Sequence, residues 1–129
     1  MDKRFLIAGA FFGLTAVLVG AFGAHGLESV LTTKQLATFE TGVKYQMYHA
    51  LACLFLGMFK GKDSIAKTAA FWLFTMGTIL FSWSIFGLAT NPLTSFDFRM
   101  LAALTPIGGG LLILGWGVIF VKALTLKKQ

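Results

Sequence analysis

Four long apolar segments follow one another along the chain, separated by short polar stretches. The first is free of charge from Phe5 to Ala24, twenty residues, which matches the ~20 residues that a helix needs to cross a bilayer core. The other three lie at about 33–59, 68–91 and 100–121. The pattern predicts an all-α membrane protein, a four-transmembrane-helix bundle, with 1–129 as a single integral membrane domain.

The second segment is charge-free only from Tyr45 to Phe59, which is short for a span. Its beginning is marked by TTKQ, residues 32–35, a capping box in which Thr32 caps the helix and Gln35 reaches back. No proline follows. One helix is therefore expected over 33–59, with its membrane part at about 41–59 and its first turns outside the lipid.

Basic residues predict the orientation of these spans. Eight lie at the termini or in the loop between the second and third spans: Lys3, Arg4, Lys60, Lys62, Lys67, Lys122, Lys127 and Lys128. Three lie on the other side: Lys34, Lys44 and Arg99. Because loops rich in lysine and arginine stay inside, both termini and the 60–67 loop are expected in the cytoplasm. The basic residues lie between apolar runs and at the termini, and this arrangement indicates the orientation of a membrane protein. No nucleic-acid partner is therefore expected.

Composition agrees with a membrane protein and restricts its chemistry. Hydrophobic residues make up 57% of the chain and charged residues 12%, whereas roughly a quarter is charged in a soluble domain. The single cysteine, Cys53, excludes an internal disulfide and a multi-cysteine zinc motif. The first apolar segment exceeds the ~7–15 residues of a signal-peptide core, so an uncleaved first helix is expected.

The two histidines are expected at different depths. At ~1.5 Å rise per residue, His49 lies roughly 16 Å from the cytoplasmic end of its helix, and His25 lies about 31 Å from that end of its own. A separation of about 15 Å argues against a metal site shared by both imidazoles. His25 is instead expected to bond Glu40 or Glu28 at the outer interface, with Gly26 in a left-handed conformation at the helix end.

His49 lies near mid-membrane and shares a helix face with Gly42, Gln46 and Cys53. An ionisable side chain there is costly to bury and marks a functional hypothesis. Three roles stay open. The first is a structural hydrogen bond to the hydroxyl of Thr15 or Thr78 or to a carbonyl freed at a kink in the Gly108–Gly110 run. The others are the handling of a proton or ligand, and ligation of a metal or haem. His49 and Cys53 supply only two ligands, so no cofactor is expected.

Small residues recur at helical spacing and predict close helix packing. In the first span they are Gly9, Gly13, Ala16, Gly20 and Ala24. In the fourth, Pro106 followed by Gly108, Gly109 and Gly110 predicts a kink. The glycine run lacks the lysine of a phosphate loop. The stripes are expected either to pack the helices of one chain or to join it to a second copy.

Four stretches together resemble one known family. They are GAFGAHGL, TGVKYQMYHALA, FSWSIFGLA and LTPIGGGLLILGW, one in each helix. In this order, over nearly the whole chain, they are similar to the domain-of-unknown-function 423 proteins, whose eukaryotic relatives are called transmembrane protein 256. The resemblance implies a small four-helix bacterial membrane protein and brings no activity, cofactor or catalytic residue. The family's third-helix motif is closer to FSGSLY, and here Trp83 and Phe86 replace its small residue and its tyrosine.

The sequence thus predicts a non-enzymatic protein of the bacterial inner membrane that packs, assembles or modulates other membrane components. Its expected partners are lipid and either a second copy or another membrane protein. No hydroxyl lies in a recognisable base-and-orienter arrangement. Two other classes stay open. One is a transporter or proton-linked carrier of a small solute that uses His49 and a movable fourth helix, and the other is a metal- or haem-binding redox protein.

Overall fold

The computed structural model describes residues 1–95, 97 and 99–127, with Ala24 described by its backbone alone. Every regular element in these residues is helical. The α-helices are α1 Lys3–Gly26, α2 Thr33–Met58, α3 Ile65–Thr78, α4 Ser84–Thr90 and α5 Leu104–Leu124. A π turn, Ile79–Trp83, joins α3 to α4, and two 3₁₀ turns, Asn91–Leu93 and Arg99–Ala103, lie between α4 and α5. Because α3, the π turn and α4 follow one another without a gap, the chain forms four long helical segments.

Side chains fix where the first three helices begin. Asp2 caps α1 by accepting a hydrogen bond from the backbone N–H of Arg4 at 3.0 Å. Thr32 accepts one from the backbone N–H of Gln35 at 3.2 Å, and the Gln35 side chain accepts one from the backbone N–H of Thr32 at 2.9 Å. Ser64 Oγ caps α3 by accepting a hydrogen bond from the backbone N–H of Lys67 at 3.1 Å. The capping box predicted from the sequence is confirmed.

α1 and α2 pack as an antiparallel pair through small residues. A Cβ built on Gly9 would lie 2.8 Å from the Ala50 carbonyl oxygen, and one built on Gly20 would lie 3.1 Å from Val43. Between them, Ala16 is fully buried. The stripe of the first span therefore brings α1 against α2 within one chain. The side chain of Ala24, the last member of that predicted stripe, lies outside the described residues.

α5 packs antiparallel to α3 in the same manner. A Cβ on Gly115 would lie 2.7 Å from the Phe74 ring, and one on Gly77 would lie 2.8 Å from Leu112. Residues early in α5 therefore lie beside residues late in the third segment. Glycines on both helices allow this close approach.

The glycine run at the start of α5 has three different environments. Gly108 lies against the backbone of the π turn, where an added Cβ would be 2.7 Å from the Leu80 carbonyl carbon and 2.8 Å from Phe81 Cα. Gly109 would make an ordinary contact with the Phe81 ring at 3.6 Å. Gly110 has nothing within 4 Å of an added Cβ. Only Gly108 of these three is required by a neighbouring backbone.

The kink expected at Pro106 stays a prediction. Pro106 lies in the first turn of α5, which begins at Leu104, directly after the 3₁₀ turn Arg99–Ala103. From Leu104 to Leu124 the segment is α-helical. Another departure from α-helical geometry lies in the third segment, at the π turn.

Three of the four segments, Lys3–Gly23, Ile65–Leu93 and Arg99–Leu124, are long and apolar enough to span a membrane. α2 is less apolar because its first half carries exposed charged side chains, those of Lys34, Glu40 and Lys44, and because it has two inward-facing polar ones: Gln46 is 0% exposed and His49 is 4% exposed. The outer face of α2 presents large apolar or aromatic side chains: Tyr45, Tyr48, Leu51, Phe55 and Met58. Polar residues inside and apolar residues outside are the arrangement that lipid favours.

Candidate functional site

Gln46 joins α2 to α1 and to the π turn. Its Nε2 donates hydrogen bonds to the Phe12 carbonyl at 3.0 Å and to Thr15 Oγ1 at 2.6 Å. Its Oε1 accepts a hydrogen bond from Trp83 Nε1 at 3.2 Å. Thr15 Oγ1 in turn donates to the Phe11 carbonyl at 2.8 Å. Both donors and the acceptor of this buried amide are therefore used between helices.

His49, one turn further along α2, joins that helix to α5. Its Nδ1 lies 2.7 Å from the Tyr45 carbonyl oxygen, and its Nε2 accepts a hydrogen bond from Trp116 Nε1 at 3.0 Å. An indole N–H can only donate, so Nε2 is unprotonated and Nδ1 carries the hydrogen that it donates to Tyr45. The rings of Phe74 and Trp116 pack on the imidazole. The geometry thus selects one neutral tautomer of His49.

The partners of His49 differ from those predicted. Thr15, proposed as a neighbour of the imidazole, bonds Gln46 instead. The carbonyl that accepts from His49 belongs to its own helix, four residues earlier, and not to the glycine run of α5. Cys53 is buried on the same face of α2. Within the described part of the chain, no three His, Cys, Asp or Glu side chains are grouped closely enough to hold a metal ion.

Three hydroxyl groups of the third segment are buried without a hydrogen-bond partner among the described residues: Thr75 Oγ1, Thr78 Oγ1 and Ser82 Oγ. Thr78 lies one turn after Phe74, whose ring centroid is 5.3 Å from that of His49. Ser82 immediately precedes Trp83, which bonds Gln46 from the π turn. Thr78 and Ser82 are both 0% exposed. Unused hydrogen-bonding capacity is therefore concentrated where the third segment passes the polar residues of α2.

These unpartnered hydroxyls differ from other threonines of the chain. Thr38, Thr41 and Thr90 each donate to the carbonyl four residues earlier, at distances of 3.1, 3.0 and 2.7 Å. Such bonds are the usual way for a helical hydroxyl to be satisfied. Thr78, the last residue of α3, and Ser82, in the π turn, make no such bond. Their side chains are therefore held away from their own helix carbonyls.

The end of the molecule that carries both Asp2 and the 60–67 loop is tied by ion pairs. Arg4 Nη2 lies 3.1 Å from a carboxylate oxygen of Asp2 and 3.1 Å from one of Asp63, and Lys67 Nζ lies 3.3 Å from Asp2 Oδ2. Hydrogen bonds from the Arg4 side chain, opposed by burial and helped by Lys67, lower the pKa of Asp2 to about 2. The Asp2 N–H also donates to the Gly57 carbonyl at 2.8 Å. The Asp2 carboxylate thus connects α1 to α3, and the Asp2 backbone N–H connects this end of α1 to α2.

The outer cluster predicted from the sequence is not formed. His25, Glu28 and Glu40 are all exposed, and no ion pair or hydrogen bond joins any two of them in the residues that the structure describes. Gly26 is the last residue of α1, and no described glycine has a positive φ. The left-handed helix end predicted for Gly26 is therefore wrong. Phe39 packs on Gly23, so Glu40 and His25 lie at similar heights along the α1–α2 pair, but no bond joins their side chains in the described residues.

The sequence did not predict the π turn or the hydrogen bonds that two tryptophans donate. Trp83 was noted only as a departure from the family motif, and Trp116 was not singled out, yet they donate to Gln46 and His49 respectively. Each indole is about half exposed while its N–H points inward. The available signal was the pairing of two buried polar residues on α2 with two tryptophans on the facing segments.

Comparison with known proteins agrees with this architecture. The family model described as "Protein of unknown function (DUF423)" matches residues 19–109. A UPF0382 membrane protein of Staphylococcus epidermidis is 43% identical over 122 residues, which are 95% of this chain and 96% of that protein. The UPF0382 membrane protein YwdK of Bacillus subtilis is 42% identical over 123 residues, 94% of this chain and 96% of YwdK. No solved structure matches the chain.

The family match covers most of the chain. It includes Gln46, His49 and Trp83, and it ends before Trp116. The relatives are named as membrane proteins, in agreement with the three apolar segments long enough to span a bilayer. The resemblance found in the four sequence stretches is confirmed. The chain therefore belongs to the DUF423 family and is a membrane protein.

Proposed function

We propose that this chain crosses the cell membrane four times, with both ends in the cytoplasm. Three segments are apolar enough to span, and α2 packs antiparallel to α1, which is one of them. From Tyr45 to Met58, α2 turns Gln46 and His49 inward and large apolar or aromatic side chains outward, so this part can share the bilayer with them. By sequence, eight basic residues lie at one end and three at the other.

Reporter fusions test this topology. Fusions after Lys62 and after Lys127 are expected to be cytoplasmic, and a fusion after Thr94 is expected to be periplasmic. A periplasmic signal at either lysine, or a cytoplasmic signal at Thr94, contradicts the four-span arrangement.

Within that topology, the function that the geometry supports best is that of a non-enzymatic structural or modulatory component of the membrane. The carrying observation is the engagement of both ring nitrogens of His49, one by the Tyr45 carbonyl and the other by Trp116. The one imidazole at mid-depth is thereby used to hold α2 against α5. Gln46 is used in the same way between α1 and the π turn. Polar residues that join helices are a known means of assembling membrane bundles.

The outer face of α5 is the surface on which a second copy or another membrane protein would pack. Ile113, Leu114 and Phe120 are 73%, 60% and 65% exposed. Gly110 and Gly117, one heptad apart, have nothing within 4 Å of an added Cβ. Open glycines beside large apolar side chains allow a further helix to approach closely.

Cysteine crosslinking in native membranes tests this assignment. Ile113→Cys on α5 is expected to give a crosslinked dimer or a crosslink to one membrane protein. Leu51→Cys, 57% exposed on the outer face of α2, is the control and is expected to give neither. The native Cys53 is buried and does not interfere. Equal crosslinking at both positions, or none at Ile113→Cys, contradicts the proposed surface. A stoichiometric metal or haem in the purified protein would contradict the non-enzymatic role.

A proton-linked carrier is a second candidate, favoured by the unpartnered hydroxyls of Thr78 and Ser82 beside the π turn. π turns occur frequently at functional sites, and hydroxyls with free hydrogen-bonding capacity can bind a passing polar solute. Vesicles that contain the protein and an internal pH dye distinguish the two functions. Proton flux that is abolished by Ser82→Ala would favour the carrier, and flux equal to that of empty vesicles would favour the structural role.

A further inference from the structure

A cavity opens at the end of the molecule where the 60–67 loop lies. It has a volume of about 380 Å³, within the range of roughly 300–1,000 Å³ that is usual for ligand sites. All four helical segments contribute apolar side chains to its lining: Phe5, Leu56, Ala70, Val118 and Ile119. Phe5 and Ala70 are themselves buried. The interior of the cavity is therefore suited to a hydrocarbon chain.

The lining of the same cavity also includes four lysines: Lys60, Lys62, Lys67 and Lys122. Lys67 is paired with Asp2. Lys60, Lys62 and Lys122 form no ion pair within the described residues. Both acidic groups at this end are already paired, Asp2 and Asp63 with Arg4. Three ammonium groups without counter-charges thus accompany an apolar interior.

Charge along the chain is unevenly divided between the two ends. By sequence, this end has eight basic residues and two acidic ones, a net charge of +6, and the opposite end has three of each, a net charge of zero. The whole formal net charge of +6 therefore belongs to the end that contains the cavity. Uncompensated lysines at the end of membrane-spanning segments attract negatively charged headgroups.

We propose that this cavity binds an anionic phospholipid, with part of one acyl chain in the apolar interior and the headgroup phosphate at Lys60, Lys62 and Lys122. A neighbouring lipid reaches the site without leaving the bilayer, because the cavity lies where α3 begins and α5 ends. A zwitterionic phospholipid would have the same chains but would bring a positive group to the lysines. Selectivity for the negative headgroup thus follows from charge complementarity. The proposal does not rest on the topology or on the association of α5.

Native mass spectrometry of the detergent-solubilised protein tests the site. Phosphatidylglycerol is titrated against phosphatidylcholine with the same acyl chains, and bound lipid is counted at each concentration. Phosphatidylglycerol is expected to bind at least tenfold more tightly, because each lysine near a headgroup contributes about fivefold. Equal affinities for the two lipids would overturn the proposal.

Two charge variants locate the effect. Lys60→Gln/Lys122→Gln is expected to weaken phosphatidylglycerol binding by tenfold or more and to leave phosphatidylcholine unchanged. Lys34→Gln/Lys44→Gln removes the same charge from the opposite end and is expected to change neither. An equal loss in both double variants would show a nonspecific charge effect and overturn the site. These lysines form no ion pair in the described residues, so both variants are expected to fold.

A third variant tests the apolar part of the site. Ala123→Phe fills the cavity from an exposed wall residue without changing charge, and it is expected to weaken phosphatidylglycerol binding several-fold. Ala10→Phe, at an exposed position of α1, is its control. Unchanged binding in Ala123→Phe overturns the role of the cavity. Inorganic phosphate is titrated in parallel, and phosphate binding as tight as that of the lipid would identify a free-anion site instead.

Discussion

The two antiparallel helix pairs of this molecule differ in the contacts that hold each pair together. The first pair, α1 with α2, is regular along its length and is joined by the hydrogen bonds of Gln46. The second pair, the third segment with α5, contains a π turn and three buried hydroxyl groups without partners, those of Thr75, Thr78 and Ser82. Glycine allows close approach in both. The first pair is thus joined by a fully bonded buried amide, whereas the second, joined by Ser84 and Thr105 at 2.6 Å, also contains buried hydroxyl groups that bond nothing in the described residues.

This difference predicts where the structure can adapt. Buried polar groups that are fully bonded resist rearrangement, because every alternative leaves one of them unsatisfied. The hydroxyl groups of Thr78 and Ser82 add no such restriction to the π turn, and the turn is joined to α2 by the side-chain bond from Trp83 to Gln46. The second pair should therefore tolerate loss of these hydroxyl groups but not an added side chain at Gly108, whereas the first pair should not tolerate loss of the Gln46 amide.

The largest effect is expected from Gly108→Ala. The added methyl group would lie 2.7 Å from the Leu80 carbonyl carbon and would also meet the Phe81 backbone, which cannot rotate away. α5 must then move from the π turn, at a cost of about 2–3 kcal/mol in the free energy of unfolding. Thermal unfolding in a mild detergent measures the loss. Gly110→Ala, with nothing within 4 Å of its new methyl group, is the matched control and is expected to be neutral or slightly stabilising. Equal destabilisation in both would contradict packing by shape.

The next effect is expected from Gln46→Leu in the first pair. Leucine has a similar volume, but it removes the bonds to the Phe12 carbonyl and to Thr15 and leaves Trp83 Nε1 without its acceptor. We expect a loss of about 1–2 kcal/mol, the upper range for a hydrogen bond between membrane helices. In a double-mutant cycle with Trp83→Phe, the two changes should cost less together than the sum of their separate costs. Additive costs would show that the indole bond contributes nothing.

A smaller effect is expected at Asp2, which connects the two pairs. Asp2→Asn weakens the cap of α1 and the pairing with Arg4 and Lys67, for a loss of about 1 kcal/mol. The pKa of Asp2 in the fold, about 2, is below its ordinary value of 3.8. Its contribution is therefore complete above about pH 4 and is lost as the pH falls toward 2. The free energy of unfolding, measured from pH 5 to pH 2, should fall in the native protein as Asp2 becomes protonated. The Asp2→Asn variant should lack this fall. Asp97→Asn, which removes an exposed carboxylate, should retain it.

The smallest effect is expected from Thr78→Val and Ser82→Ala. Both hydroxyls are buried without a partner, so their removal breaks no hydrogen bond and relieves a buried polar group. Stability should stay within about 0.5 kcal/mol of the native protein or rise slightly. A loss comparable to that of Gln46→Leu would mean that these hydroxyls are bonded in the membrane, and the contrast between the two pairs would fail.

The sequence predicted which face of α2 is polar better than which residues that face meets. Residue spacing placed Gln46 and His49 on one face of α2, and both are buried. It also placed His25 and Glu40 at one level, yet no bond joins them in the described residues, because rise per residue says nothing about rotation around each helix axis. Height follows from the number of residues, whereas rotation depends on the packing of neighbouring helices.

The partners of the buried residues were beyond sequence reasoning for a related reason. Trp116 meets His49 only because α5 packs where its indole N–H reaches α2. Nothing within Ile79–Trp83 forbids an α-helix, so the π turn depends on tertiary contacts such as the approach of Gly108. Local signals, in contrast, were sufficient for the capping box of Thr32 and Gln35, whose partners lie within one turn.

The π turn also has a consequence for chain length. A π turn closes on the fifth residue instead of the fourth, so it holds about one residue more than the α-helical turn it replaces. The segment Ile65–Thr90 is thus one residue longer than an unbroken α-helix of equal height would be. That extra residue rotates everything after it by roughly 100° relative to α3. Ser84 Oγ lies 2.6 Å from Thr105 Oγ1 on α5, and this hydrogen bond depends on the rotation that the extra residue introduces.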